Sequence, residues 1–158
     1  MEIGRYFCND PAAPRPNSPT RIGTNVLLEA EGRLLLEKRW DCGRWGLIGG
    51  RLRHGERETQ GIARELREET GLFLPEAAFT HVLTTQDERI AAYRDGTVWR
   101  MVIVLFRARL ERLPELKPSA ESLQLRFFAP EELSALQTVI THRDLILRWA
   151  EENGGMPL

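Results

Sequence analysis

The stretch between Gly50 and Gly71 constrains this chain more than any other. From about Glu58 to Thr70 the residues follow a helical period, and Gly71 stands where a left-handed C-cap closes a helix. With Ile62 at the origin of a wheel, Leu66, Thr70 and Ala63 fall at about 40°, 80° and 100°. That apolar stripe is narrow, and it needs a partner surface to bury it. Glu68, Glu65 and Glu69 fall at about 240°, 300° and 340°, so three carboxylates share an arc of about 100°. Like charges three or four residues apart cost a helix about 0.2–0.5 kcal/mol per pair. Arg64, four residues before Glu68, is the clear local compensation. Such a face is either a solvated acidic surface or a set of oxygen ligands for a hard cation such as Mg²⁺. Just before the helix, Gly43, Gly46, Gly49 and Gly50 lie in a loop from Trp40 to Gly50. Without a Cβ, that backbone can approach a phosphate closely.

What surrounds the helix supplies the partner surface. Asn25–Ala30 and Arg33–Lys38 read as two apolar strands joined by Glu31-Gly32, a hairpin pattern. Phe79–Thr85, Val98–Leu110 and Leu123–Phe128 read as further strands. Pro130 opens a short helix, and an amphipathic helix covers roughly Arg143 to Glu152. Strands on both sides of a helix, followed by C-terminal helices, predict a mixed α/β domain of the α+β type in which helices cover a sheet. Residues 11–19 hold four of the nine prolines and read as an extended arm. Ahead of them, residues 1–10 are either an added edge strand or a tail. The expected organisation is an arm over residues 1–19 and one compact domain over 20–158, since 158 residues suit one hydrophobic core.

Charge and cysteine content narrow the function. With 22 basic and 23 acidic side chains the net charge is −1, and no basic stripe runs along the chain. Holding nucleic acid or a membrane surface by bulk electrostatics is therefore not expected. Cys8 and Cys42 are too few for a disulfide framework or a cysteine-rich zinc site. With no apolar leader before Asn9 and no run long enough to span a bilayer, the expected setting is the cytoplasm.

The spacing within the helix segment decides between the two readings of its acidic face. Gly50, Glu56, Arg64, Glu65, Leu66, Glu68, Glu69, Gly71 and Leu72 match every position of G-x5-E-x7-R-E-U-x-E-E-x-G-U, where U is apolar. At ordinary residue frequencies the chance of such a match in a chain this long is below about one in a million. This pattern is the Nudix box, and the chain resembles the Nudix hydrolase family. Leu34–Arg39, the run Trp45-Gly46-Leu47-Ile48-Gly49-Gly50, the strand Val98–Leu110 and the stretch from Glu121 to Leu133 extend the resemblance over roughly residues 20–152. Ile48 stands where the family commonly has proline, a loop-stiffening position.

The resemblance implies the Nudix fold, a mixed sheet sandwiched between helices, and hydrolysis of a nucleoside diphosphate linked to another moiety X. The products would be a nucleotide and phosphorylated X. It implies Mg²⁺, with Mn²⁺ as a substitute, held by Glu65, Glu68, Glu69 and the Gly49 carbonyl. Glu56 is either an outer ligand of the metal or the partner of Arg64, and Arg64 orients its neighbouring glutamates. The general base is either a box glutamate, Glu68 or Glu69, or the later Glu121; Glu115 and Glu88 are weaker candidates of the same type. Arg39, Arg44, Arg51 and Arg53 are candidates for substrate phosphates, and Trp99 for stacking on a base or sugar. Modified nucleoside triphosphates and nucleotide sugars of the ADP-ribose type both remain open as substrates. A Nudix-fold module that senses a nucleotide without cleaving it is the alternative, although such modules usually lose box carboxylates and this chain keeps all of them. Many relatives dimerise, so a homodimer is compatible with the resemblance.

Overall fold

The computed structural model describes residues 4–154. Its strands are β1 (Arg5–Cys8), β2 (Arg21–Ala30), β3 (Arg33–Arg39), β4 (Trp45–Gly46), β5 (Ile48–Arg51), β6 (Thr80–Thr84), β7 (Arg89–Ala92), β8 (Val98–Leu110) and β9 (Ser122–Phe128). The helices are α1 (Glu58–Thr70) and α2 (Ile140–Glu152), with short 3₁₀ turns at Glu76–Ala78 and Pro130–Ala135. The mixed β-sheet carries one helix on each face, as the expected sandwich requires.

The long parallel pairing of β2 with β8, from Arg21 beside Met101 to Ala30 beside Leu110, is the spine. Strand β3 continues the sheet through Glu29–Leu34 and Ala30–Arg33, and carries β9 on its far side. Alternation then sorts side chains by face. Leu27, Leu34, Leu36, Ile103 and Leu105 pack with Leu145, Ile146 and Trp149 of α2. Val26, Leu28, Leu35, Val104 and Phe106 pack with Ile62 and Leu66 of α1, the narrow stripe seen on the wheel. Gly71 closes α1 at φ 78°, donating its N–H to the Arg67 carbonyl.

Two segments differ from the sequence-based expectation, and a third takes one of its stated alternatives. The loop expected from Trp40 to Gly50 contains β4 and β5, because β5 lies antiparallel to β2 from Gly23–Arg51 to Val26–Ile48. Strand β7, four residues long, escapes hydropathy patterning because it is too short to show a period. Within the expected arm, Arg5–Cys8 takes the edge-strand alternative and pairs with β7, whereas residues 11–19 belong to no strand. The Asn17 side chain accepts from the Val98 N–H at 2.8 Å and donates to the Gly96 carbonyl at 2.8 Å, which fixes the proline-rich stretch to the domain. Residues 1–3 of the expected arm lie outside the described residues. No helix among those described is long and apolar enough to cross a membrane.

Candidate active site

Strand β5 and the C-terminal half of α1 meet at the glycine pair. The Gly49 N–H donates to Glu69 Oε2 at 3.0 Å. A Cβ on Gly50 would stand 2.6 Å from the Glu65 carboxyl carbon, so only glycine lets that carboxylate lie against the strand. Glu69 is buried, and burial pushes its carboxyl well above the usual range, with the neighbouring charges of Glu37 and Glu65 adding to the effect. Burial also raises Glu65, against the opposing pull of Arg64.

Arg64 organises the other box residues. Its Nε and Nη2 grip the two oxygens of Glu56 at 2.6 and 2.9 Å. Its Nη1 reaches Glu65 at 2.9 Å and Glu68 at 3.2 Å, and Nη2 also donates to the Arg51 carbonyl at 3.2 Å. The hydrogen bonds from Arg64 hold the Glu56 carboxyl down at about 2. Arg64 thus ties α1 to the loop that enters it.

Glu68 stands apart. Its carboxylate is half exposed, held by Arg53 at 3.3 Å and by Arg64. Among the described residues no three acidic, imidazole or thiol groups converge closely enough to hold an ion in the conformations they adopt. The donor set nevertheless suits a hard divalent cation: three carboxylates on one rigid helix beside a glycine backbone. Glu68 is held by its ion pairs to Arg53 and Arg64, and partly exposed pairs of this kind contribute about 0–1 kcal/mol.

The glycine pair also borders a pocket of about 260 Å³ on the α2 side of the sheet. Arg39, Arg51 and Trp99 line it, joined by Tyr6, Arg21 and Thr141. Trp99 stacks on Tyr93 with ring centroids 4.3 Å apart, and the Arg21 guanidinium lies 3.5 Å over the Trp99 ring. Nε and Nη2 of Arg39 are engaged by Asp41 at 3.0 and 2.9 Å. Thr141 is fully buried and its hydroxyl has no partner among the described residues. His142 accepts the Leu47 N–H at Nδ1, 3.1 Å away, and burial depresses its pKa to about 3, so the ring is neutral.

The structure does not bring every candidate to this place. Arg44 lines a separate hollow beside Cys42 and Arg5, and Arg53 lines a groove with His54. Arg39, Arg51 and Trp99 do share the pocket. Glu121 immediately precedes β9, with its carbonyl accepting the Trp40 N–H at 3.3 Å. Sequence reasoning missed Tyr6, Arg21, Thr141 and Glu37. Tyr6 and Arg21 are remote in sequence from the box and offer no local signal. Glu37 did offer one, as a charge directly after the apolar run Leu34–Leu36 within the expected strand.

The comparisons agree with this geometry. The sequence model of the NUDIX domain matches residues 19–150. This chain belongs to the Nudix hydrolase family. A MutT-like protein of Streptomyces ambofaciens is 33% identical over 129 residues, covering 82% of this chain and 76% of the relative. The E. coli dihydroneopterin triphosphate pyrophosphohydrolase shares the fold at a TM-score of 0.68 and 20% identity, over 83% of this chain and 95% of that one. The Nudix domain of Shewanella oneidensis NrtR, solved with ADP ribose, shares it at 0.66 and 20% identity, over 90% and 92%. As a Nudix hydrolase, the chain is an enzyme of the pyrophosphohydrolase type.

Proposed function

We propose that this Nudix hydrolase cleaves the pyrophosphate linkage of a nucleoside diphosphate joined to a moiety X, with Mg²⁺ held by Glu65, Glu68 and Glu69. X is a further phosphate, as in a modified nucleoside triphosphate, or a sugar. The observation that carries the reading is the meeting of Glu65 and Glu69 with the Gly49–Gly50 backbone at the edge of a pocket lined by arginine and aromatic side chains. One relative is named for a pterin triphosphate and another was solved with ADP ribose, and the linkage those ligands share is the part carried over to this chain.

Each side chain has a physical task in this scheme. Glu69 keeps one oxygen on the Gly49 N–H and leaves the other for a cation, as Glu65 does against Arg64. Arg64 and Glu56 act by holding those carboxylates in place. Glu65, Glu68 and Glu69 would hold the divalent cation, which would neutralise phosphate charge and lower the pKa of the attacking water. Arg51 and Arg39 face the substrate phosphates from the pocket, and Trp99, its two ring faces covered by Tyr93 and Arg21, presents its edge to the base or sugar. Glu121 accepts the proton of the attacking water as its oxygen bonds to phosphorus and the bridging oxygen leaves with the departing phosphate.

The test is product release from a panel of 8-oxo-dGTP, unmodified nucleoside triphosphates, ADP-ribose, nucleotide sugars and dinucleoside polyphosphates, with and without Mg²⁺. Magnesium-dependent turnover of one class, lost in Glu69→Gln, is the expected result. Binding without turnover across the panel would overturn it in favour of a sensing module.

A further inference from the structure

Glu37 is the most deeply buried carboxylate among the described residues, at 3% exposure. It sits in β3 after three leucines, and alternation points it to the α1 face with Leu35. A leucine there would continue the core, whereas a buried carboxylate costs free energy unless it is hydrogen-bonded. Its partner is the Ser122 hydroxyl, which donates to Glu37 Oε1 at 2.7 Å. Ser122 opens β9 where the β3–β9 register slips between Lys38 and Arg39.

That slip has a consequence for the residue before it. The Glu121 N–H donates to Ser119 Oγ at 3.3 Å, its carbonyl accepts from Trp40 N at 3.3 Å, and the Ser122 N–H donates to the Ser119 carbonyl at 3.2 Å. Glu121 is therefore held by its own backbone on one side and by the Ser122–Glu37 bond on the other. Arg39, paired with Ser122 across the β3–β9 ladder, lines the pocket, and the next residue, Trp40, is bonded to the Glu121 carbonyl, so Glu121 stands at the pocket's rim.

The geometry points to Glu37 and Ser122 as a latch that positions Glu121 for proton transfer. The inference rests on the function proposed above and on Glu121 as the base. Glu37 and Ser122 are positioning residues, since they act through Glu121. Their value lies in placement: a reacting group displaced by about 1 Å can lose about a hundredfold in rate.

Four variants and one exchange measurement test the latch. Ser122→Ala removes the donor without changing any charge, and the expected result is a kcat about tenfold lower with KM within about twofold. Ser122→Thr keeps the hydroxyl and restores kcat to within about twofold of the parent. Glu121→Gln lowers kcat by about a hundredfold or more, and adding Ser122→Ala to it costs nothing further. Hydrogen exchange at the Trp40 and Ser122 amides speeds up in Ser122→Ala, with the rest of β3 unchanged. Full kcat in Ser122→Ala beside an impaired Glu121→Gln overturns the latch. Full kcat in Glu121→Gln overturns the assigned base and the latch with it. If the parent protein turns over nothing, the hydrolase reading fails, and unchanged exchange in Ser122→Ala then overturns the latch on structural grounds.

Discussion

The Gly49 N–H and Glu69 Oε2, 3.0 Å apart, join strand β5 to the last turn of α1 across twenty residues of sequence. This bond holds a buried carboxylate against the sheet beside another buried carboxylate, Glu37. Without a cation the arrangement is repulsive, and the fold disfavours ionised Glu69. The sign follows: the folded protein holds a proton that the unfolded chain releases near its usual carboxylate pKa of about 4.3. Metal-free protein therefore loses stability as pH rises from there through the raised folded value. Glu69→Gln keeps an acceptor for Gly49 and removes the charge. Its melting temperature in EDTA at pH 7.5 should exceed the parent's by about 2–4 °C, while turnover is lost. Mg²⁺ should then raise the melting temperature of the parent and leave the variant unmoved. A variant that melts below the parent in EDTA would show that the Glu69 charge is not strained.

Arg64 makes five hydrogen bonds to Glu56, Glu65, Glu68 and the Arg51 carbonyl, and a lysine cannot reproduce its forked geometry. Arg64→Lys should cost about 2–3 kcal/mol in urea unfolding, because it leaves half-buried Glu56 poorly paired. Glu56 also predicts an acid limb. Its folded pKa of about 2 lies below the unfolded value, so its contribution is complete above about 4.3 and is lost as pH falls toward 2. Glu56→Gln should flatten that limb, and an unchanged slope would contradict the assignment.

Gly50 supplies the third test. A Cβ there meets the Glu65 carboxyl, whose side chain must shift, and no left-handed backbone angle is involved. Gly50→Ala should leave unfolding free energy within about 1 kcal/mol of the parent, as expected where a neighbour can adjust. Turnover should fall at least about tenfold, together with Mn²⁺ affinity measured by calorimetry. Full activity in Gly50→Ala would mean that Glu65 does not need its place against the strand.

How much of this was legible in the sequence depended on the range over which each feature is determined. Strand β8 and helix α1 carry their own periodicity, so Val98–Leu110 and Glu58–Thr70 were readable from local pattern alone. Strand β5 was not, because Gly49 and Gly50 have low strand propensity and become strand only by pairing with Thr24 and Asn25. The box residues were legible because their spacing is local. The pocket was not, since Tyr6, Trp99 and Thr141 come together only when β1, β8 and α2 have packed. Glu37 lies between these cases: its charge in an apolar strand marked it, but its partner Ser122 is 85 residues away.

His142 tests the other face of the sheet. Its neutral ring accepts the Leu47 N–H and sits wholly inside the core, with a pKa near 3 caused first by burial. In the unfolded chain the same ring takes a proton near its usual value of about 6.5. Between those limits the unfolded state binds more protons, so stability falls as pH drops from about 6.5 to 3. This slope opposes the one from Glu69, and the two overlap above about 4.3, where the parent profile is flattened. His142→Asn retains an acceptor for Leu47 and removes the titrating ring. It should be less stable than the parent at pH 7.5 by about 1–3 kcal/mol through lost packing. That gap should narrow steadily in urea titrations at pH 6, 5 and 4, because only the parent bears the cost of keeping His142 unprotonated. In Glu69→Gln the flattening should disappear, and the acid slope from His142 should stand alone. A gap between His142→Asn and the parent that stays constant with pH would mean that folding does not depress the titration of the ring, and it would contradict the assignment of Nδ1 as the buried acceptor for Leu47.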